Sequence, residues 1–367
     1  YPEFGMKVTT VNGQSVDVNS ISFKALEKIT VEGEVLDASG QLVTDFTGIV
    51  NPTVKDSKVT VTCLKNSNKD DSPAFTFTDY PNTIFIGNDS VRNGKFSFTF
   101  TVPKDISYSN LQGKMNLYAV DTESGNEAQG NFDNFIVGGT SDTAETDTIG
   151  PEIRALYLND TTFVDGGQVN TTPYFVAELW DKSGVNITGS SVGHDMMLVI
   201  DESTVLSYNL NSYYELLPGE DGTGIVKFPI PALEPGKHTA EFWVWDILNN
   251  STVRTFTFEV VEGLKPFLFD VIATPGIARE QVTFHLMHNR PESRMRVGIM
   301  VYDLAGRQLW KHEESGTSGL FENYTVSWDL TSGGARMRPG VYIYRAAIST
   351  DNSKDATKAR KFIILGE

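Results

Sequence analysis

The feature that most narrows what this chain can fold into is a side-chain period of two that returns along almost its whole length. Ile29, Val31 and Val35 alternate with Thr30, Glu32 and Glu34; Phe96, Phe98, Phe100 and Val102 alternate with Ser97, Thr99 and Thr101. Successive side chains of a strand point to opposite faces, so the pattern predicts half-buried strands. A helical repeat is nearly absent. Turn signals punctuate the runs: Asn93-Gly94, two residues that tolerate positive φ, precedes the phenylalanine series, and Pro103 ends it. Short strands spaced by such turns predict all-β, immunoglobulin-like antiparallel sandwiches.

One turn recurs. A strand runs into Asp, and Gly or Asn follows three residues on: Leu36-Asp37 to Gly40, Trp180-Asp181 to Gly184, Trp245-Asp246 to Asn249 and Tyr302-Asp303 to Gly306, with Val120-Asp121 to Gly125 as a longer variant. The Asp carboxylate is suited to accept from backbone N–H groups further along the turn, and Gly or Asn takes the positive φ. Copies at irregular spacing indicate repeated hairpins, not a solenoid.

At 367 residues, 40% hydrophobic and 11% aromatic, the chain supports two or three cored domains. Its net charge of −17 is uneven: 11 basic and 20 acidic residues in 1–150, 5 and 16 in 151–262, 14 and 11 in 263–367. The acidic bulk argues against nucleic-acid binding through phosphates and would be repelled by an anionic leaflet. The basic tail suits docking on an acidic partner, although excess Arg on a small domain is more often a solvated surface. A single cysteine excludes an internal disulfide, and no apolar run reaches the ~18 residues of a membrane span. Ser141 to Thr148 is polar and acidic and reads as a linker. Three tandem sandwiches are therefore expected, at 1–140, 150–262 and 263–367, joined by a linker at 141–149. The start at Tyr1-Pro2, without a Met or a charged-then-apolar leader, suggests a mature product or a piece of something longer.

The last hundred residues carry Val301-Tyr-Asp-Leu-Ala-Gly-Arg307, Trp328-Asp329-Leu330 before a Gly-rich turn, Pro339-Gly-Val-Tyr-Ile-Tyr344, and the closing Lys361-Phe-Ile-Ile-Leu365. Together, in this order, they resemble the C-terminal sorting domain of cargo of the bacterial type IX secretion system. The Asn-Pro pair usual near the start of such domains is Thr274-Pro275 here. The resemblance implies a small β-sandwich recognised by an outer-membrane translocon. Upstream, Gly150-Pro151, Leu158-Asn-Asp160, Asn170 to Pro173, Asp181 to Asn186, Gly193-His-Asp195, Asn211 to Tyr214, and Val244 to Ser251 look like the region after the catalytic domain of the type IX sortase, a gingipain-like cysteine peptidase of family C25. Asn93 to Phe96 and Phe135 to Gly139 are similar to the same family. The resemblance covers only the family's non-catalytic half. It implies a peptidase domain before Tyr1, the translocon and outer-membrane attachment proteins as partners, and a place on the extracellular side of the outer membrane after periplasmic transit. The other reading is a surface adhesin or carbohydrate-binding module exported by the same route.

No residue is assigned a catalytic role. Cys63 shares a strand face with Val59 and Val61, so burial as a small apolar residue is expected, and no His lies near it in sequence. His194 beside Asp195 is a candidate metal neighbourhood. His285 and His288 lie on opposite faces of a predicted strand. Asp121, Glu123, Asn126 and Glu127 are oxygen ligands within seven residues and candidates for calcium; no other cofactor is implied. Trp243 and Trp245 share a strand face, where they would stack on sugar or pack against protein.

Overall fold

The structure, a computed structural model, describes residues 2–18, 20–64, 74–142, 147–189, 193–217, 222–350 and 352–366. Among these the regular structure is all strand except for one 3-10 turn at Asn211–Tyr213. Internal contacts divide the chain into two compact units. One comprises Tyr1–Ala155, Ala177–Val226 and Ala240–Thr255; the other comprises Leu156–Val176, Lys227–Thr239 and Phe256–Glu367.

In the first unit the main sheet runs Lys114–Asp121, Glu127–Phe132, Phe4–Val11, Lys28–Leu36, Lys95–Thr101, Asp89–Arg92, Gly48–Lys55. Gly48–Lys55 then pairs again with Lys114–Asp121, from Gly48 opposite Asp121 to Lys55 opposite Lys114. The sheet closes on itself and forms a barrel where two open layers were expected. Closure removes the unpaired edges that an open sheet would expose. It uses one parallel pairing, Phe4 and Gly5 beside Ala128 and Gln129.

The alternation read from the sequence fills this barrel. Phe96, Phe98 and Phe100 are buried, with Phe98 opposite Val31 and Phe100 opposite Ile29 on the neighbouring strand. Phe85 lies flat on Phe100, ring centroids 4.7 Å apart. Burial of each such side chain contributes roughly 1.5–3 kcal/mol. Gly33 faces Phe96; a Cβ there would lie 2.2 Å from that ring and 2.5 Å from the Lys7 carbonyl, so the close approach requires glycine.

Two further sheets follow in the order of the chain. One runs Glu152–Leu158, Tyr174–Trp180, Thr223–Pro229, Tyr214–Leu216; the other runs Gln168–Val169, Ser251–Val260, Gly236–Trp245, Met197–Ile200, Ser207–Asn209. Of the expected linker, 143–146 lie outside the described residues. Asp147 is held by the Asn250 side chain, whose Nδ2 donates to the Asp147 carbonyl at 3.1 Å.

The second unit contains a sandwich at its C-terminal end, antiparallel except where Ile277–Ala278 runs parallel to Ala356–Ile364. A three-stranded sheet, Leu268–Thr274, Val282–His288 and Tyr324–Trp328, accompanies a five-stranded sheet, Ile277–Ala278, Ala356–Ile364, Gly340–Ser349, Met295–Tyr302 and Gln308–Gly316. Their inner faces share one core built on Phe284, Val297, Ile299, Trp328, Tyr344 and Phe362.

Candidate functional site

The recurrent turn forms as its residues dictate. The Oδ1 atoms of Asp37, Asp181, Asp246 and Asp303 each accept two backbone N–H groups of their own turn, at 2.7–3.0 Å. In the longer variant Asp121 Oδ1 accepts from Glu123 and Ser124, while Oδ2 accepts from Thr47, 74 residues away. These donors hold the Asp121 carboxyl down at about 2. The Asp121 oxygens proposed for calcium are thus directed at backbone, and Glu127 Oε1 takes the Tyr118 hydroxyl at 2.7 Å.

Two of these turns meet. Among the described residues, one group of three carboxylate, His or Cys side chains is gathered tightly enough for a metal ion: Asp147, Asp181 and Asp246, with oxygens within 4.8 Å of one another. Asp181 and Asp246 are buried. Burial, with the charges of Asp246 and Asp147 added, raises the Asp181 carboxyl to about 6; burial also raises Asp246. Asp147 is held below its ordinary range by the Ile149 N–H and the Ser183 hydroxyl. Such a group could share a proton or hold a hard cation, supplying three of the six to eight oxygens calcium takes. Asp181 also lines a cleft of about 760 Å³ with Phe85, Phe100, Tyr214, Leu216 and Ile247. The turn pattern marked Asp181 and Asp246 in the sequence. Nothing marked Asp147.

His194 is placed by a different carboxylate. Its Nδ1 lies 2.6 Å from Asp105 Oδ2, Asn249 Nδ2 donates to Asp105 Oδ1 at 2.9 Å, and the imidazole rests against Trp245 at 4.5 Å. The neighbouring Asp195 turns elsewhere, accepting from Asn211 at 2.7 Å. Trp243 stays on the same half-buried face, its Nε1 3.3 Å from Glu241 Oε2. The arrangement joins the 104–105 segment to the 247–249 turn, because the Lys104 N–H also donates to the Ile247 carbonyl at 2.8 Å. Asp105 lacked any sequence signal.

His285 and His288 lie on opposite faces of Val282–His288, as the alternation requires. His288 Nδ1 accepts the Arg290 N–H at 3.1 Å, which leaves Nε2 to donate to Ser318 Oγ at 2.9 Å. Burial and the Arg290 charge push this imidazole down to about 4, so it stays neutral at physiological pH.

Cys63 overturns its expectation: it is exposed. It follows a two-stranded ribbon, Val59–Thr62 with Thr76–Asp79, which forms a sheet of its own. The neighbouring Leu64 and Phe75 are 85% and 70% exposed. An alternating strand buries its apolar face only where a second layer covers it.

The sequence features near the C-terminus build the sandwich. Trp328 lies on Trp310 with centroids 4.4 Å apart, and its Nε1 donates to the Thr331 carbonyl at 2.8 Å. Tyr342, Tyr344, Phe362 and Ile364 point inward, and the Tyr344 hydroxyl donates to the Val271 carbonyl at 3.0 Å. Arg360 holds both Asp270 oxygens at 2.9 Å. The alternate residues Val341, Ile343, Arg345 and Lys361 face outward.

The chain is 37% identical to latent PorU from Porphyromonas gingivalis, solved as a dimer; the match covers 100% of this chain and 34% of that one, with a TM-score of 0.44. The chain therefore spans about a third of that relative's length, and the similarity to PorU runs along the whole of this chain. It is also similar to a tetra-tandem repeat from the extending region of a large adhesion protein (14% identical, 100% of this chain, 74% of that chain, TM-score 0.20). A third match is Bacteroides ovatus SGBP-B of a mixed-linkage glucan utilization locus, in complex with a heptasaccharide (8% identical, 99% and 71%, TM-score 0.28). At these values the last two carry no functional argument. No protein-family model matches the chain, and no curated protein does.

Proposed function

We propose that this chain is the non-catalytic C-terminal part of a type IX sortase of the C25 peptidase kind, and that residues 263–367 are its sorting domain. The observation that carries the reading is the 37% identity to PorU along all 367 residues. The motifs from Val301 to Leu365 support it, since they assemble one sandwich in which Gly340–Ser349 and Ala356–Ile364 present a mixed apolar and basic outer face. That domain is the address read by the outer-membrane translocon, and it places the protein on the cell surface. The modules at 1–140 and 150–262 are a spacer and support for a peptidase domain upstream. The clasp of Asp105 on His194 and Asn249 suits a spacer, because it fixes one segment on another. The relative is described as dimeric, and we extend self-association to this chain as well.

Deletion of 263–367 from the full-length gene tests the address. Surface display should be lost and the truncated protein should accumulate in the periplasm. Undiminished display would contradict the sorting role. The adhesin or carbohydrate-binding reading finds less support, because the face of Trp245 is occupied by His194.

A further inference from the structure

Residues 261 to 267 lie outside any strand and join Ser251–Val260 to Leu268–Thr274 within the second unit. A short connection of this kind between two sandwiches ordinarily serves as a hinge. Here its backbone is bonded along its length. The Val261 N–H donates to the Val169 carbonyl at 2.9 Å, and the Leu264 N–H to the Val261 carbonyl at 3.4 Å. Arg290 Nη2 then donates to the Leu264 and Lys265 carbonyls at 3.2 and 3.4 Å. Pro266 is buried, and its ring removes one backbone freedom. The Phe267 N–H donates to Asn289 Oδ1 at 2.7 Å, and the Asn289 N–H returns a bond to the Phe267 carbonyl at 3.2 Å.

Two side chains therefore hold the segment, and they hold each other. Arg290 Nη1 donates to Asn289 Oδ1 at 3.0 Å, so one amide oxygen takes both the Phe267 N–H and the guanidinium. Arg290 is only 1% exposed. A guanidinium out of water needs acceptors, and its planar fork reaches several at once. The acceptors it finds are Asn289 and two carbonyls that lie 25 and 26 residues earlier in the chain. The turn that carries the pair is itself fixed to the tail sandwich, since the Arg290 N–H donates to His288 Nδ1, and His288 Nε2 lies 2.9 Å from Ser318 Oγ.

We propose that Asn289 and Arg290 form a latch that holds residues 264–267 as a strap on the tail sandwich, which makes this junction a stiff joint instead of a hinge. Its opening is a local event, separate from unfolding of the sandwich. The inference stands apart from the sorting role, and neither depends on the other. Hydrogen–deuterium exchange of the 367-residue chain tests it, read by mass spectrometry on peptides that cover 261–268 and 295–302. In the parent the strap amides should exchange about a hundredfold more slowly than in an unstructured peptide of the same sequence. Arg290→Met removes the fork at similar length and should speed exchange in the strap about tenfold, with Met295–Tyr302 within about twofold of the parent. Asn289→Ala removes the shared oxygen and should do the same. Free-peptide exchange of the strap in the parent, or unchanged protection in both variants, would overturn the latch. Protection lost across 295–302 in both variants would overturn it too, because the pair would then support the whole sandwich; where only one variant loses it, the other decides.

Discussion

Asp181 shows how a turn residue acquires a second role from its surroundings. Its Oδ1 caps the turn at Ser183 and Gly184, while the side chain shares a buried space with Asp246 and Asp147. With a folded value of about 6 against an ordinary value of about 4, its contribution favours the fold below pH ~4 and is lost as pH rises through about 6. Asp181→Asn keeps an oxygen for both N–H donors and removes the charge. In chelator-containing buffer at pH 7 it should therefore stabilise the protein by about 2 kcal/mol, read as a raised Tm, and the difference should vanish below pH ~4. An unchanged Tm at pH 7 would show that the three carboxylates are not coupled as their geometry indicates. The five Asp-led turns were legible residue by residue, because their chemistry lies within five residues of chain. Asp105 and Asp147 were not legible: the Ile149 N–H bond of Asp147 is local, but the side chains that place the two in their clusters, Ser183, His194 and Asn249, lie from 36 to 144 residues away. Cys63 misled for a related reason: period two tells which residues share a face, not whether anything covers it.

Among the elements, Lys28–Leu36 bears a tight constraint on the barrel wall. Gly33 lets the Phe96 ring and the Lys7 carbonyl approach where a Cβ would intrude at 2.2 and 2.5 Å. Gly33→Ala should cost about 1–3 kcal/mol, because both the ring and the backbone of Phe4–Val11 must shift; a denaturation midpoint equal to the parent's would show that the wall yields freely. The strands themselves were readable from alternation, the Phe96 to Phe100 run above all. Their pairing was not. Closure depends on Gly48–Lys55 meeting Lys114–Asp121, 59 to 73 residues on, a choice made by the packing of the whole sheet and not by local propensity.

For the whole molecule, charge and motif divide the work along the chain. The acidic stretch before residue 262 holds the barrel, the clasp at Asp105 and the three-carboxylate group; the net-basic remainder holds a sandwich whose motif residues are spent on its own core and whose alternate residues face outward. The address proposed for this sandwich would be portable, since Trp328, Tyr344 and Phe362 find their partners within 268–364. The most direct measurement is to graft residues 263–367 behind an unrelated periplasmic reporter, in a cell that carries type IX secretion, and to assay the reporter at the surface by protease accessibility. The account predicts that the reporter becomes surface-exposed with the graft and stays periplasmic without it. A reporter that carries the intact folded graft and remains in the periplasm would contradict it.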